Sequence, residues 1–492
     1  MPHSAAARDR SGPGPGDDGT LGDRLARHYA LRIGQRMLQP GARLPSVREC
    51  ARAHGVSPST VVAAYDRLQA QGLVEARRQR GFFVRGLGTA TAAAPRAEMP
   101  LALPAPLDAA ALIRGMFRHR SSLPGPGHGT LPETWLDAPL LQRALRRAIS
   151  DVDDALRYGE PAGDPSLRAA LSRRLTHELG IACGADQIVT AVGATHALDI
   201  VARTLLSPGD AVLVDEPGWV VEHARLTKLG MRLLPVPRGP LGPDLDTMRA
   251  LAAEHRPRLY VTVSVLHNPT GASLSLAAAH QVLQLAESAD LVVVEDDTYA
   301  WLAPAHMPRL AALDGLRRTV YVTGFSKILA PNWRVGALAA PAAMVDRLVD
   351  TKLLSSLTTP AILERAVAWC LDQGLLRRHA ERVSARLAAS RARVVRLAQD
   401  ARCRFVAEPQ GLFGWVDTGV DTEALAEALA AEGWLVAPGR LFFVRPQTCH
   451  LMRVNFASAQ DARFWRAFER ARDALARTPD SQGSGGPSRD GL

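Results

Sequence analysis

Lysine is nearly missing from this chain. Of its 59 lysines and arginines only three are lysines, Lys228, Lys327 and Lys352. Arginine is the default cation, so a lysine kept inside an apolar stretch calls for a chemical reason and not merely a charge. Cysteine is scarce as well. The five present (Cys50, Cys183, Cys370, Cys403 and Cys449) lie far apart and form no CxxC pair, which argues against a disulfide framework or a zinc site and fits a reducing cytoplasm. No stretch approaches the roughly 20 consecutive apolar residues that a membrane helix needs. The opening "MPHSAAARDRSGPGPGDDGT" has no apolar signal core, so secretion is not expected.

What is present is enough for two or three folded units in 492 residues, with 47% hydrophobic and 22% charged residues, as expected for a full core. The formal net charge is +10, and its location is informative. Between Leu21 and Gly86 stand twelve arginines against four acids, so +8 of the +10 falls there and the rest of the chain is close to neutral. Such asymmetry points to an N-terminal module that meets a polyanion. Residues 1–20 and 478–492 are rich in Gly, Pro, Ser and Asp and are expected to be disordered ends. The compact module is placed at 21–86, an Ala- and Pro-rich linker at 87–114, and a large region at 115–477.

In the basic module, "LPSVRECARAHGVSPSTVVAAYDRLQAQGLVEARRQRGFFV" (44–84) has a clear internal order. Ser46 can cap a short helix, "HGV" at 54–56 supplies a turn, and Ser57 or Ser59 can cap a second helix. Val61, Tyr65 and Leu68 recur at helical spacing and form its inner face. That is a helix-turn-helix, whose second helix can enter the major groove. Two short strands, 73–77 and 81–85, follow, joined by "RQR", where arginines can reach phosphates or a minor groove. A solvated basic face on a small helical domain has the same charge, but pattern and charge together point to DNA. Arg48, Ser57, Ser59, Thr60, Arg67, Arg77 and Arg78 are the candidate contacts. The stretch closely resembles the winged helix of GntR-type bacterial regulators, with Pro58 standing where that family commonly carries arginine.

In the large region, β-branched runs alternate with helical ones. Strands are expected at 187–192, 211–215, 258–264, 291–296 and 319–324, with helices at 195–206 and 277–289 between them. That alternation is the mark of a mainly parallel α/β sheet flanked by helices. From about 377 a long helix opens a smaller α+β lobe.

Lys327 lies in "TGFSKILAPNWRVG". Lysine, unlike arginine, can form a Schiff base with an aldehyde cofactor. Pyridoxal 5′-phosphate then makes further demands. A carboxylate must keep its pyridine nitrogen protonated, and "VVVEDDTYAWL" puts Asp296 and Asp297 at a strand end. Its phenolate oxygen needs donors, and Tyr299 and Asn268 (in "HNPTG") can provide them. Its phosphate needs a helix start and a cation, which "VGATHALDI", Ser326 and Arg334 offer. Trp219 in "DEPGWVV" can cover the ring, and Arg453 in "HLMRVNFA" can take an amino-acid carboxylate. Each piece alone is weak, and their order along the chain carries the weight.

The series "GAT…DEPGW…HNPTG…EDDTY…SK…R…R" resembles the fold-type I aminotransferases over 115–475. The resemblance implies that Lys327 is the imine-forming lysine, Asp296 the partner of the pyridine nitrogen, and Tyr299 and Asn268 the phenolate ligands. It further implies that Ala194, Thr195, Ser326 and Arg334 hold the phosphate, that Trp219 stacks, and that Arg453 binds the substrate carboxylate. Tyr158, in "RYGEPAGDPSLRAAL", matches a tyrosine that reaches the phosphate of the neighbouring subunit. A GntR-like winged helix followed by such a domain looks like the MocR subfamily of transcription regulators. That likeness implies a head-to-tail homodimer that binds operator DNA and senses pyridoxal 5′-phosphate or an amino compound reacting with it. A working aminotransferase with a DNA-binding arm is the alternative, and a large domain that serves dimerisation alone is a third.

Overall fold

Short helices need explicit start and stop signals, and the N-terminal segment supplies them. The computed structural model describes residues 20–34, 38, 41–77, 81–84, 125–149, 156–445 and 447–477. The chain divides into two units, 1–104 and 105–492. In the first, α1 (Leu21–Gly34), α2 (Val47–His54) and α3 (Pro58–Ala70) precede β1 (Val74–Arg77) and β2 (Gly81–Val84). Ser46 caps α2 through a capping box: its hydroxyl accepts from the Glu49 N–H at 3.3 Å, and the Glu49 carboxylate accepts from the Ser46 N–H at 2.9 Å. Gly55 ends that helix at φ 63°, a left-handed conformation that favours glycine. Of the two candidate serines, Ser57 is the cap of α3; Ser59 lies within the helix and bonds the Ser57 hydroxyl. Val61, Tyr65 and Leu68 are fully buried, as their spacing requires, and pack with Leu25 and Tyr29 of α1. β1 and β2 pair antiparallel from Val74↔Val84 to Arg77↔Gly81. The "RQR" turn, with Arg78, the linker at 87–114, residues 1–19 and the tail 478–492 lie outside the described residues.

The second unit is built on an eight-stranded sheet. Its strands are β3 (Ile188–Ala191), β4 (Ala211–Glu216), β5 (Arg232–Gly239), β6 (Gly242–Pro243), β7 (Leu259–Thr262), β8 (Val292–Asp296), β9 (Thr319–Gly324) and β10 (Gly336–Ala339). They lie in the order β3-β10-β9-β8-β7-β4-β5-β6. The pairs β5/β4, β4/β7, β7/β8 and β8/β9 are parallel. β10 runs against both of its neighbours, with Gly336 opposite Gly324 on one side and Ala191 on the other. This reversal was not expected from sequence, because "GALA" has none of the β-branched residues that announce a strand. The parallel strands are apolar on both faces because helices cover both. Ala194–Leu205 packs on one side and Leu276–Ser288 on the other, in separate buried clusters.

The smaller lobe follows the 26-residue helix Leu375–Asp400. Its antiparallel strands β11 (Arg404–Phe405), β12 (Phe413–Asp417), β13 (Ala437–Pro438) and β14 (Leu451–Asn455) lie in the order β11-β12-β14-β13. Among the described residues no helix is long and apolar enough to cross a membrane. All five cysteines are free thiols and buried.

Candidate cofactor and ligand site

In parallel strands every C-terminal end opens on the same edge of the sheet, and loops leaving that edge converge. Here β3, β4, β7, β8 and β9 deliver Ala194 and Thr195, Trp219, Asn268, Asp296 and Lys327 in turn. The reversed β10 begins where the others end, which brings Arg334, just before it, to the same place. A single cavity is lined by Ala194, Thr195, Trp219, Asn268, Asp296, Tyr299, Ser326, Lys327 and Arg334, together with Leu198, Val263, Thr298 and Gly324. Nine residues singled out from sequence, spread over 141 positions, thus meet in one cavity. Tyr158 and Arg453 do not line it.

The helix Ala194–Leu205 starts with Gly193 at φ 78° and no side-chain cap, so its first N–H groups lack a carbonyl partner one turn back. Arg334 donates to the Val192 carbonyl at 3.1 Å and to the Ser326 hydroxyl at 3.2 Å, which holds its guanidinium beside that helix start. A Cβ at Gly193 would come within 2.6 Å of an Arg334 nitrogen, so glycine is required for this approach. His196, which no sequence motif marks, accepts from the Val192 N–H at 3.1 Å and steadies the same turn. A helix N-terminus with an adjacent guanidinium is an anion cradle.

Three consecutive acids at the end of β8 have three different surroundings. Glu295 is buried and accepts from the N–H groups of Leu310 (2.8 Å) and Ala311 (2.8 Å); burial pushes its carboxyl up to about 7. Asp297 is buried against Arg309 Nε at 3.0 Å and the Tyr321 hydroxyl at 2.9 Å. Only Asp296 faces the cavity. Thr298 fixes it through its N–H, at 3.0 Å, and its hydroxyl, while burial raises its pKa to about 6. An Asp with Thr two residues later is a local turn signal that was visible in "EDDT".

Lys327 Nζ donates to the Gly129 carbonyl at 2.7 Å. Burial chiefly, then the Arg453 charge, lowers its pKa to about 8, against the pull of Asp296. Part of the population therefore carries a neutral, nucleophilic amine near neutrality. Tyr299 packs edge-on to Phe413 at 5.5 Å, and burial holds its phenol well above the ordinary range. Arg453, on β14, has no exposed surface. It donates to Asn268 Oδ1 at 2.9 Å and to the Gly127 carbonyl at 2.7 Å, and its guanidinium lies over the rings of Phe413 (4.5 Å) and Phe442 (5.1 Å). Burial lowers its pKa to about 10, which still leaves it charged. Tyr158 is 82% exposed and is not among the residues lining its own chain's cavity.

The other candidate interface is the winged helix. Arg48, Ser57 and Ser59 are exposed and Thr60 is half-buried. Arg67 is paired with Asp23 of α1 at 3.0 Å, and Arg77 with Glu75 at 2.7 Å while lying over the Phe83 ring at 4.7 Å. The two arginines therefore spend part of their charge inside the domain.

Comparison with known proteins agrees with both halves. Residues 125–470 match the family Aminotransferase class I and II, and residues 22–84 match Bacterial regulatory proteins, gntR family. The HTH-type transcriptional regulator TauR of Rhodobacter capsulatus is 31% identical over 468 residues, covering 87% of this chain and 91% of that protein. The probable rhizopine catabolism regulatory protein MocR of Rhizobium meliloti is 29% identical, over 73% of this chain and 72% of its own. Among solved structures, LysN, an α-aminoadipate aminotransferase from Thermus thermophilus complexed with N-(5′-phosphopyridoxyl)-L-leucine, superposes with TM-score 0.68 at 26% identity, covering 74% of this chain and 95% of that one. The cofactor of such a domain is pyridoxal 5′-phosphate, and the donor set here fits it: an amine, a carboxylate, an anion cradle and a flat side chain around one cavity. The chain therefore belongs to the aminotransferase class I and II family and, with its GntR-type winged helix, is a DNA-binding transcription regulator of the MocR type.

Proposed function

We propose that this regulator senses pyridoxal 5′-phosphate, or a carboxylate-bearing amino compound that reacts with it, through the cavity around Lys327. The observation that carries the reading is the arrival of Lys327, Asp296 and the Ala194 helix start in one cavity from three separate strand ends. When bound, the cofactor supplies an aldehyde for imine formation and an electron-withdrawing ring.

The chain's own residues have these tasks. Lys327 offers the amine, kept partly neutral by burial. Asp296, raised but oriented by Thr298, holds the proton of a pyridine nitrogen. Tyr299 and Asn268 bond the ring's phenolate oxygen, and Trp219 covers its face. Ala194, Thr195, Ser326 and Arg334 receive the phosphate, and Arg453 pairs with the carboxylate of the amino compound.

We further propose a head-to-tail homodimer working in the cytoplasm. Leu156, Tyr158, Leu354 and Leu357 are large side chains more than half exposed, and Gly159, which follows Tyr158, packs beside Thr358 and Thr359, which follow Leu357. In such a dimer Tyr158 reaches the phosphate in the neighbouring subunit. The winged helix binds an operator through Arg48, Ser57, Ser59, Thr60, Arg67, Arg77 and Arg78. Ligand binding alters DNA affinity only through a difference in affinity for two conformations.

Borohydride treatment after incubation with pyridoxal 5′-phosphate, followed by peptide mass mapping, tests the site. The expected result is a pyridoxyl mass on the Lys327 peptide alone. A label on Lys228 or Lys352 instead, or none, rejects the reading.

A further inference from the structure

The scarcity of lysine leaves a second residue to account for. Lys228 ends a helix and is exposed, as a solvated cation should be. Lys352, in the helix Ala342–Ser356, has no exposed surface and does not line the cavity around Lys327. Its Nζ donates to the Thr190 hydroxyl at 3.1 Å and to the Thr359 hydroxyl at 3.3 Å, and those two oxygens lie 3.0 Å apart. A buried ammonium is costly unless it is matched, and the Glu364 carboxylate, also buried, attracts it. A compact ammonium can aim its protons at two adjacent hydroxyls, whereas the planar fork of arginine suits a carboxylate. That is a reason for lysine in a chain that otherwise uses arginine.

The ammonium only donates, so each hydroxyl accepts from it and must turn its own proton elsewhere. The Thr359 hydroxyl has the Thr190 oxygen, and the Thr190 hydroxyl has the Ala162 carbonyl at 3.4 Å, which the Thr190 N–H also holds at 2.8 Å. A chain of donors therefore runs from Lys352 through two threonines to the loop 158–164, "YGEPAGD". The same surroundings grip that loop along its length. A Cβ at Gly159 would meet the Thr359 carbonyl at 3.4 Å and Ala361 at 3.7 Å, and Gly163, at φ 112°, leaves no room for a Cβ against Thr190. The Asp164 N–H donates to Glu364 at 2.7 Å, and the Asp164 carboxylate pairs with Arg365 at 2.9 Å. Tyr158 opens the loop and is 82% exposed, so its direction is set by the loop behind it and not by packing of its ring.

We propose that Lys352 is a positioning residue for the neighbouring subunit's site: through Thr359 and Thr190 it sets the loop that presents Tyr158 to the phosphate held there. This rests on the reading that Tyr158 crosses to the neighbouring subunit. Lys352 touches no ligand, and its effect falls on the cavity of the other subunit, not on that of its own.

Affinity is read in the full-length protein from the cofactor concentration at which reductive labelling of Lys327 is half complete. Lys352→Met should weaken binding of pyridoxal 5′-phosphate about tenfold, as loss of a hydrogen bond to a charged group does, and change that of pyridoxal, which lacks the phosphate, less than about twofold. Mixed dimers then locate the effect. When wild type is paired with Lys327→Ala/Lys352→Met, the one site that can be labelled takes its Tyr158 from the altered subunit, and the full loss is expected. When Lys352→Met is paired with Lys327→Ala, that site takes its Tyr158 from a subunit with Lys352 intact, and wild-type affinity is expected. Equal losses for both ligands, or a loss confined to the second pairing, reveal damage within one subunit and overturn the proposal. Tyr158→Phe separates it from the reading beneath it. If that variant binds pyridoxal 5′-phosphate like wild type, the crossing fails and the proposal with it; if it binds weakly while Lys352→Met does not, the proposal alone fails. Should Lys352→Met not fold, Thr359→Val removes the linking hydroxyl with little change of shape and takes its place in both pairings, with the same pattern expected.

Discussion

Arginine is used in opposite ways in the two units. In the winged helix, Arg48, Arg67 and Arg77 point outward and their charge faces solvent or a nearby acid. In the large unit, Arg238, Arg309 and Arg453 are buried and spend their donors on carboxylates and carbonyls of the interior. Arg238, for instance, joins Asp215 at 2.8 Å in a network that also takes in Tyr260 and Thr262. The first kind of arginine is visible in a net charge, because nothing nearby cancels most of it. The second kind is mostly invisible there, because Arg238 and Arg309 are each matched by a buried acid, Asp215 and Asp297, whereas Arg453 is held by the uncharged oxygens of Asn268 and Gly127.

The difference can be broken experimentally. Removing residues 1–87 should abolish operator binding while reductive labelling of Lys327 persists; operator binding that survived would erase the division of labour. Replacing Arg309 with Ala leaves Asp297 buried without its cation and should destabilise the large unit by about 3–5 kcal/mol in denaturant unfolding. A change under about 1 kcal/mol would mean that the pair is not shielded as its burial indicates. The Lys327 amine tests burial on the cation that remains. Its pKa is lowered to about 8, so the neutral fraction grows as pH rises through that value and capture of pyridoxal 5′-phosphate should accelerate up to it and then level off. A rate that kept climbing toward 10.5, the unshifted value, would show a solvated amine. Ser57→Ala should cost the winged helix about 1 kcal/mol, as loss of a helix cap does. Arg77→Ala should move stability by no more than about 0.5 kcal/mol yet reduce the salt slope of DNA binding by about one. An unaltered slope would take that strand off the DNA.

Much of this was readable beforehand, for identifiable reasons. β-branched runs marked β3, β4, β7, β8 and β9, and turn or capping residues at their ends fixed where the loops begin. What escaped notice lacked those marks. β10 is built of Gly, Ala and Leu, and β5 carries Pro235 and Pro237, which disfavour a strand reading although that strand lies near the sheet's edge. Asp296 and Asp297 could be told apart by likeness to a family, and their separate partners, Thr298 and Arg309, supply the physical reason. The pairing of Arg67 with Asp23 depends on how α1 lies on α3, which no local pattern states. Gly127 and Gly129 meet Arg453 and Lys327 through their carbonyls, and carbonyls are the same in every residue, so no side-chain pattern could single them out.

The reversed β10 has a consequence for evolution at this site. The chain leaves the sheet at Gly324 and re-enters it at Gly336, which face each other across the ladder, so the excursion bearing Lys327 and Arg334 is clamped at both ends. One residue added or lost there would rotate either the amine or the guanidinium away from its neighbours while leaving the sheet intact. Within this excursion, then, a change of ligand preference is open to exchanges of side chain at constant length, and variation in length is expected elsewhere.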